Sequence, residues 1–323
     1  MHSFKELSEK FEQQFSKRQF PDQPANLYDP AQYILGIGGK RVRPVLCLLG
    51  NELFDEIHQD AYHAANAVEL FHNFTLIHDD IMDKAPLRRG MPTVHTKYND
   101  SAAILAGDVM LIHSYEYLNK VNSKIRTKIV QVFNKAAREV CEGQQLDMDM
   151  EQKLPEQVDF TDYVNMIALK TSVLLAASLQ MGGIIGGGSE GNQKHLYEFG
   201  KHVGIAFQIQ DDYLDAFGDP EKFGKKQGGD ILINKKTFLL LKALELCTPV
   251  QRKHLHQLMD TNPDNKVEEV LQVFRDCRVD EWAEKEKELF SKKAFEHLEG
   301  IAVLSSRKQS LRELADFLLT RQH

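Results

Sequence analysis

The apolar residues of this chain recur at intervals of three and four over long stretches that glycine and proline seldom interrupt. Residues so spaced lie on one face of an α-helix, whereas a half-buried strand needs strict alternation. The stripe runs through Ala61 to His78, Ser101 to Asn119, Ile125 to Met150, Thr161 to Leu179, Lys194 to Phe217, Thr237 to Cys247, Val267 to Cys277 and Val279 to Leu298. Alternation of the strand kind is rare, so the expected fold class is all-α. Turn residues place breaks at 21–30, 36–39, 86–92, 182–188, 218–229 and 261–265. The glycine run at 182–188 lacks the Lys-Ser/Thr that would make it a P-loop, and reads as a helix end and turn. No repeat of solenoid period and no linker between independent blocks stands out. The expectation is one large helical bundle spanning 1–323, with a mobile N-terminal arm at 1–25.

Charge and cysteine usage remove several function classes. A formal net charge of -7 and a pI near 6.0 argue against a nucleic-acid binder, which would carry a basic stripe. Cys47, Cys141, Cys247 and Cys277 form no Cys-x-x-Cys pair and read as buried free thiols rather than a zinc or redox site. The segment MHSFKELSEKFEQQF lacks the apolar core of a signal peptide, and no later run is expected to reach the roughly 18 apolar residues of a membrane span. A cytoplasmic protein without a stable membrane anchor is expected.

Chemistry concentrates in two acidic clusters. In HDDIMD at 78–83, Asp79 and Asp83 are four residues apart and project from one helical face, at the end of the mostly apolar stretch Ala67 to Ile77. Two carboxylates at the mouth of a buried helix repel each other and call for a cation. Mg²⁺ fits, because it takes oxygen ligands from one or two carboxylates and fills its octahedron with water and substrate phosphates. The same arrangement returns in FQIQDDYLD at 207–215, with Asp211 and Asp215. One such aspartate pattern arises by chance in about one chain in ten of this length, and two in about one in a hundred. Basic residues stand nearby in sequence: Lys40, Arg41 and Arg43 in GGKRVRP, Arg88 and Arg89 after the first cluster, Lys225 and Lys226 after the second, then Lys235 and Lys236. The planar fork of arginine suits phosphate oxygens, while lysine acts as a mobile point charge. Together these residues point to a diphosphate site with Mg²⁺ between anions.

GGKRVRP, HDDIMDKAPLRRGMPTVH, SAAILAGDVML, GQQLD, Lys170-Thr171, FQIQDDYLDAFGDP, GKKQGGDI and NKKT occur in an order and spacing that resembles the trans-isoprenyl diphosphate synthases, from about Gly38 to Thr237. The resemblance implies an isoprenoid-synthase-like bundle with a central cavity and two facing aspartate clusters. It implies condensation of isopentenyl diphosphate with a dimethylallyl, geranyl or farnesyl diphosphate. Carried over, it makes Asp79, Asp83 and Asp211 ligands of three Mg²⁺ ions, with Asp80 and Asp215 as supporting carboxylates and Asp147 and Asp230 orienting metal-bound water. Arg88, Lys170, Gln208, Lys225 and Lys235, with Thr171, would contact the allylic diphosphate. Lys40, Arg43, His72 and Arg89 would bind isopentenyl diphosphate without metal. A homodimer is implied as well.

Product length should follow from what closes the apolar channel beneath the first cluster. Phe74 stands five residues before Asp79, about 7.5 Å deeper along a helix, and Phe71 lies deeper still, while Thr75 is small. In the resembling family, one aromatic at that position without an insertion in the first cluster goes with geranylgeranyl (C20) products, and aromatics at both positions with farnesyl (C15). C20 is therefore expected, with C15 the alternative. Lys84 departs from the small or amide residue common there, and the LLTRQH end is less basic than some relatives' tails. A class I terpene cyclase is the nearest rival, but it would carry an Asn-Ser-Glu second motif and lack GGKRVRP. A non-catalytic partner subunit would have lost an aspartate cluster, and a di-iron bundle would show paired Glu-x-x-His.

Overall fold

A computed structural model describes residues 1–218 and 227–320. The chain is all-α, as the periodicity requires, and among the described residues the only β structure is a two-residue hairpin. In order, the helices are α1 (Phe4–Phe15), α2 (Ala25–Gly36), α3 (Val42–Glu52), α4 (Gln59–Met82), the short α5 (Val94–Lys97), α6 (Asp100–Asn119), α7 (Ser123–Gln152) and α8 (Phe160–Ile167). Then come α9 (Val173–Ile185), α10 (Glu190–Phe217), α11 (Gly229–Leu232), α12 (Phe238–Leu246), α13 (Pro249–Thr261), α14 (Lys266–Asp276), α15 (Val279–Gly300) and α16 (Ser305–Thr320). The hairpin, β1 (Leu87–Arg88) and β2 (Met91–Pro92), pairs Leu87 with Pro92 and Arg88 with Met91.

Two compact units emerge. Among the described residues, the first comprises 1–137, 177–197 and 301–311; the second comprises 138–176, 198–218, 227–300 and 312–320. In the first, α4 packs along α3 and α6, and Gly107 of α6 lets His78 approach: a Cβ there would lie 2.3 Å from the His78 ring nitrogen Nε2. Residues 1–25, expected as a mobile arm, instead carry α1. Its capping box joins Ser3 to Glu6, and Leu7, Phe11 and Phe15 are buried one turn apart. Arg41 ties α1 down. Its guanidinium bonds Glu12 Oε2 at 2.8 Å and Glu69 Oε1 at 2.6 Å, and lies 5.1 Å from the Phe15 ring centre.

The core of the second unit gathers Tyr163, Met166 and Ile167 with Ile205, Ile209, Phe238, Leu255, Phe274 and Ala283. The helical run Phe160–Ile185 differs from expectation, since by length and composition it could cross a membrane. Its apolar stretch is 78% buried inside the protein, as in a core helix.

Candidate active site

The first aspartate cluster closes α4, and its three carboxylates do not behave alike. Successive helical residues diverge by about 100°, so Asp80 turns away from the face shared by Asp79 and Asp83. Asp80 is buried and receives the Arg88 guanidinium as a fork, Nε and Nη2 at 2.7–3.0 Å. Asp79 is half-buried and Asp83 exposed. Both offer hard oxygen donors of the type Mg²⁺ prefers, four residues apart, so the donor set fits that ion.

The hairpin decides where the next two arginines go. Arg89 (φ 52°) and Gly90 (φ 76°) take the two left-handed positions of a two-residue turn. Arg88 on β1 reaches Asp80, while Arg89 Nη1 donates to the carbonyl of Gly38 in the GGKRVRP loop. Gly39 keeps the contact open, because a Cβ there would lie 2.9 Å from Arg89 Nη1. In the same loop Arg41, also left-handed (φ 51°), turns inward to Glu12 and Glu69. The expectation that it serves a diphosphate is therefore corrected. A structural ion pair occupies it.

Arg43 has the opposite environment. Its Nη1 lies 3.2 Å from His72 Nε2, and its Nε is buried with no hydrogen-bond partner. Burial, with the like charge of Arg89 and against the pull of Glu69, brings Arg43 down to about 10, so it stays charged at neutral pH. Burial pushes His72 well below its usual value, and the surrounding charges of Arg43, Arg89, Arg88 and Arg41 push the same way. His72 is thus neutral, its Nε2 accepting from Arg43. Burial and then Arg88 also depress Arg89. An orphaned guanidinium nitrogen amid crowded cations is an anion site by its electrostatics. Lys40 is exposed on the same loop.

Below the cluster, Phe71 and Phe74 touch, with ring centres 5.5 Å apart. Phe71 is buried against Phe133, whereas Phe74 is half-buried and meets the His78 ring edge-on at 4.7 Å. Thr75 Oγ1 donates to the His72 carbonyl at 2.8 Å. Of the three expected chain-length residues, Phe71 is buried, while Phe74 and Thr75 are half-buried.

In the second unit, Asp211 and Asp215 share the α10 face as expected, both half-buried. Asp215 also builds the loop that follows, its Oδ2 accepting from Asp230 N at 2.9 Å and its carbonyl from Gly228 N at 2.7 Å. Between them Asp212 is buried and holds the Tyr163 hydroxyl at 2.5 Å. Gln208 Nε2 reaches its other oxygen at 3.4 Å. Burial pushes Asp212 up to about 7, with Asp230 adding to the rise and Lys235 pulling back. Although burial works against its charge, Lys235 is held above its usual value by Asp212, Asp230 and Asp147, and its Nζ lies 3.4 Å from both Asp230 oxygens. Sequence reasoning passed over Tyr163 and Asp212. Adjacent DD marks the second, but nothing local marks the first.

Lys170 sits on a feature the periodicity did not reveal. Ala168–Ser172 is a π-helical turn joining α8 to α9, of the kind often found at functional sites. Two glycines clamp it. A Cβ on Gly143 of α7 would lie 2.2 Å from Lys170 N, and one on Gly204 of α10 would lie 2.7 Å from Ser172 Cβ. One turn after Gly143, Asp147 Oδ2 accepts from Lys170 Nζ at 2.5 Å. α7 therefore grips both the backbone and the ammonium of Lys170. Thr171 is half-buried on the same turn. Lys225 lies outside the described residues, as does Lys226.

A polyprenyl synthetase family model matches residues 24–277. A short-chain isoprenyl diphosphate synthase of Methanothermobacter thermautotrophicus is 37% identical, over 93% of this chain and 92% of that protein. A geranylgeranyl diphosphate synthase of Methanosarcina mazei is 43% identical over 69% of this chain and 68% of its own. A solved geranylgeranyl pyrophosphate synthase structure matches with a TM-score of 0.92 at 40% identity, covering 100% of both chains. The chain belongs to the polyprenyl synthetase family. Its chemistry is prenyl transfer, and enzymes of this family generally work with Mg²⁺ on isopentenyl and allylic diphosphates.

Proposed function

We propose that this protein condenses isopentenyl diphosphate with an allylic diphosphate and releases geranylgeranyl diphosphate, the C20 product. The observation that carries the reading is the division of labour in the first cluster: Arg88 forks Asp80, and Asp79 and Asp83 keep the outer face. Asp79, Asp83 and Asp211 hold Mg²⁺, in three ions. When bound, Mg²⁺ neutralises charge on the leaving diphosphate and so favours ionisation of the allylic C–O bond. Arg88, Lys170, Lys225 and Lys235 contact that diphosphate with positive charge, and Asp147 holds the Lys170 ammonium in place. Gln208, Thr171 and the backbone dipoles of the π turn face the allylic carbocation without trapping it.

Arg43 and Arg89, with Lys40 and the neutral His72, bind isopentenyl diphosphate by charge and hydrogen bonds alone. Holding its double bond beside the allylic carbon makes the coupling effectively intramolecular. The departing diphosphate then accepts the proton that the new C–C bond releases. Phe74 limits chain growth, and the geranylgeranyl-forming relatives support C20 over C15. The protein acts in the cytoplasm and works as a homodimer; the exposed Ile104, Leu105 and Ile112 along α6 support the second part of that reading.

The test is incubation of purified protein with Mg²⁺, isopentenyl diphosphate and each of dimethylallyl, geranyl and farnesyl diphosphate, with products identified by mass. Geranylgeranyl diphosphate is expected, and no condensation with any primer overturns the assignment.

A further inference from the structure

Glu198 and His202 stand one turn apart on α10, so their side chains leave the same face of the helix. His297 of α15 lays its ring over that of His202, with centres 5.5 Å apart and planes 21° from parallel. One ligand atom from each of the three lies within 4.8 Å of the other two, and all three residues are half-buried. We propose that Glu198, His202 and His297 form a binding site for a divalent transition metal of the Zn²⁺ class, separate from the aspartate clusters.

Donor chemistry sets the class. Two imidazoles and one carboxylate suit Zn²⁺, Co²⁺ or Ni²⁺, whereas Mg²⁺ prefers oxygen alone. Two atoms on one such ion, with bonds of about 2.0–2.1 Å, can be no more than about 4.2 Å apart. Three such atoms on one tetrahedral ion lie about 3.4 Å apart, so donors within 4.8 Å of one another close by up to about 1.4 Å, within reach of side-chain rotation. The His202 ring is oriented by a hydrogen bond within α10. Its Nδ1 lies 2.8 Å from the Glu198 main-chain carbonyl, so Nδ1–H donates there and Nε2 keeps its lone pair. Metal-binding histidines are oriented by such a bond. With three protein ligands, water completes the shell. The site lies on α10 nine residues before Asp211, about 13 Å along the axis. Metal there fastens α10 to α15 without touching the proposed reaction centre.

The test uses chelator-treated full-length protein in millimolar Mg²⁺, which occupies the aspartate clusters, titrated with Co²⁺ followed by its ligand-field absorption and with Zn²⁺ followed by calorimetry. Wild type is expected to bind one equivalent of each, and Zn²⁺ to raise Tm. His202→Ala and His297→Gln should each weaken binding at least tenfold, with Mg²⁺-supported prenyl transfer within twofold of wild type. His297→Gln keeps the test intact should loss of the His202 ring impair folding. No binding at 100 μM metal, or equal binding in wild type and His297→Gln, would overturn the proposal.

Discussion

Replacing Gly143 with alanine should cripple catalysis while sparing the helix that carries it. On its own, the change favours α7 by about 0.5–1 kcal/mol, since glycine in a helix interior loses more freedom on folding than alanine. The structure reverses that sign. The new Cβ would lie 2.2 Å from Lys170 N and 2.6 Å from Lys170 Cα, both backbone atoms, against the 3.4 Å at which ordinary contact begins. The π turn must therefore retreat by about 1.2 Å, the difference between 3.4 and 2.2 Å. Overpacking of this kind costs about 1–3 kcal/mol, so a net loss of about 1–2 kcal/mol in urea unfolding is expected. The larger effect falls on position. Lys170 and Thr171 move with the turn, and a 1 Å misplacement in an active site costs about 100-fold in rate. Steady-state kinetics with farnesyl and isopentenyl diphosphates should show kcat down about 100-fold with far-UV circular dichroism unchanged. A kcat within threefold of wild type, with stability equal or higher, would refute the clamp.

Phe74→Ala should shift the product mixture toward longer chains, read by mass, because Phe74 is the half-buried member of the aromatic pair; an unchanged product length would show that it does not close the channel. Asp80→Ala strands the Arg88 fork and should lower stability by about 3 kcal/mol in urea unfolding, the lower end for a broken buried pair because Arg88 is partly exposed; an unchanged midpoint would contradict the pairing. His72, depressed in the folded state, takes up a proton more readily when unfolded. Unliganded wild type should thus lose stability as pH falls below the unfolded value near 6.5, by up to about 1.4 kcal/mol per pH unit until the folded value is reached, and His72→Asn should flatten that slope. Parallel pH curves for the two proteins would count against a neutral His72.

Helix positions were legible wherever an apolar stripe ran unbroken. Ser101 to Asn119 and Val279 to Leu298 match α6 and α15 to within two residues. Thr161 to Leu179 read as a single helix because one extra residue in a π turn barely disturbs a 3.6-residue period. The trace it leaves is at Gly143 and Gly204, far away in sequence. α1 was legible and missed: Leu7, Phe11 and Phe15 mark one face, outnumbered by polar neighbours. At the site, spacing revealed which aspartates share a face. It could not reveal which of Arg41 and Arg43 turns inward, since that depends on a left-handed residue at 41 and on Glu12 and Glu69 in other helices. Tyr163 under Asp212 was hidden for the same reason.

The apolar run Phe160–Ile185 carries a consequence for how the chain is made. In the second unit it shares a core with Phe238, Phe274 and Ala283. At about 5–20 residues per second, the ribosome needs roughly 5–20 seconds to add the hundred or so residues between the end of that run and Ala283. Throughout that interval the nascent chain displays a segment with the length and hydropathy of a membrane span and an incomplete set of partners. Its correct fate is a matter of timing, decided by whether later helices arrive before chaperones, membranes or neighbouring chains do.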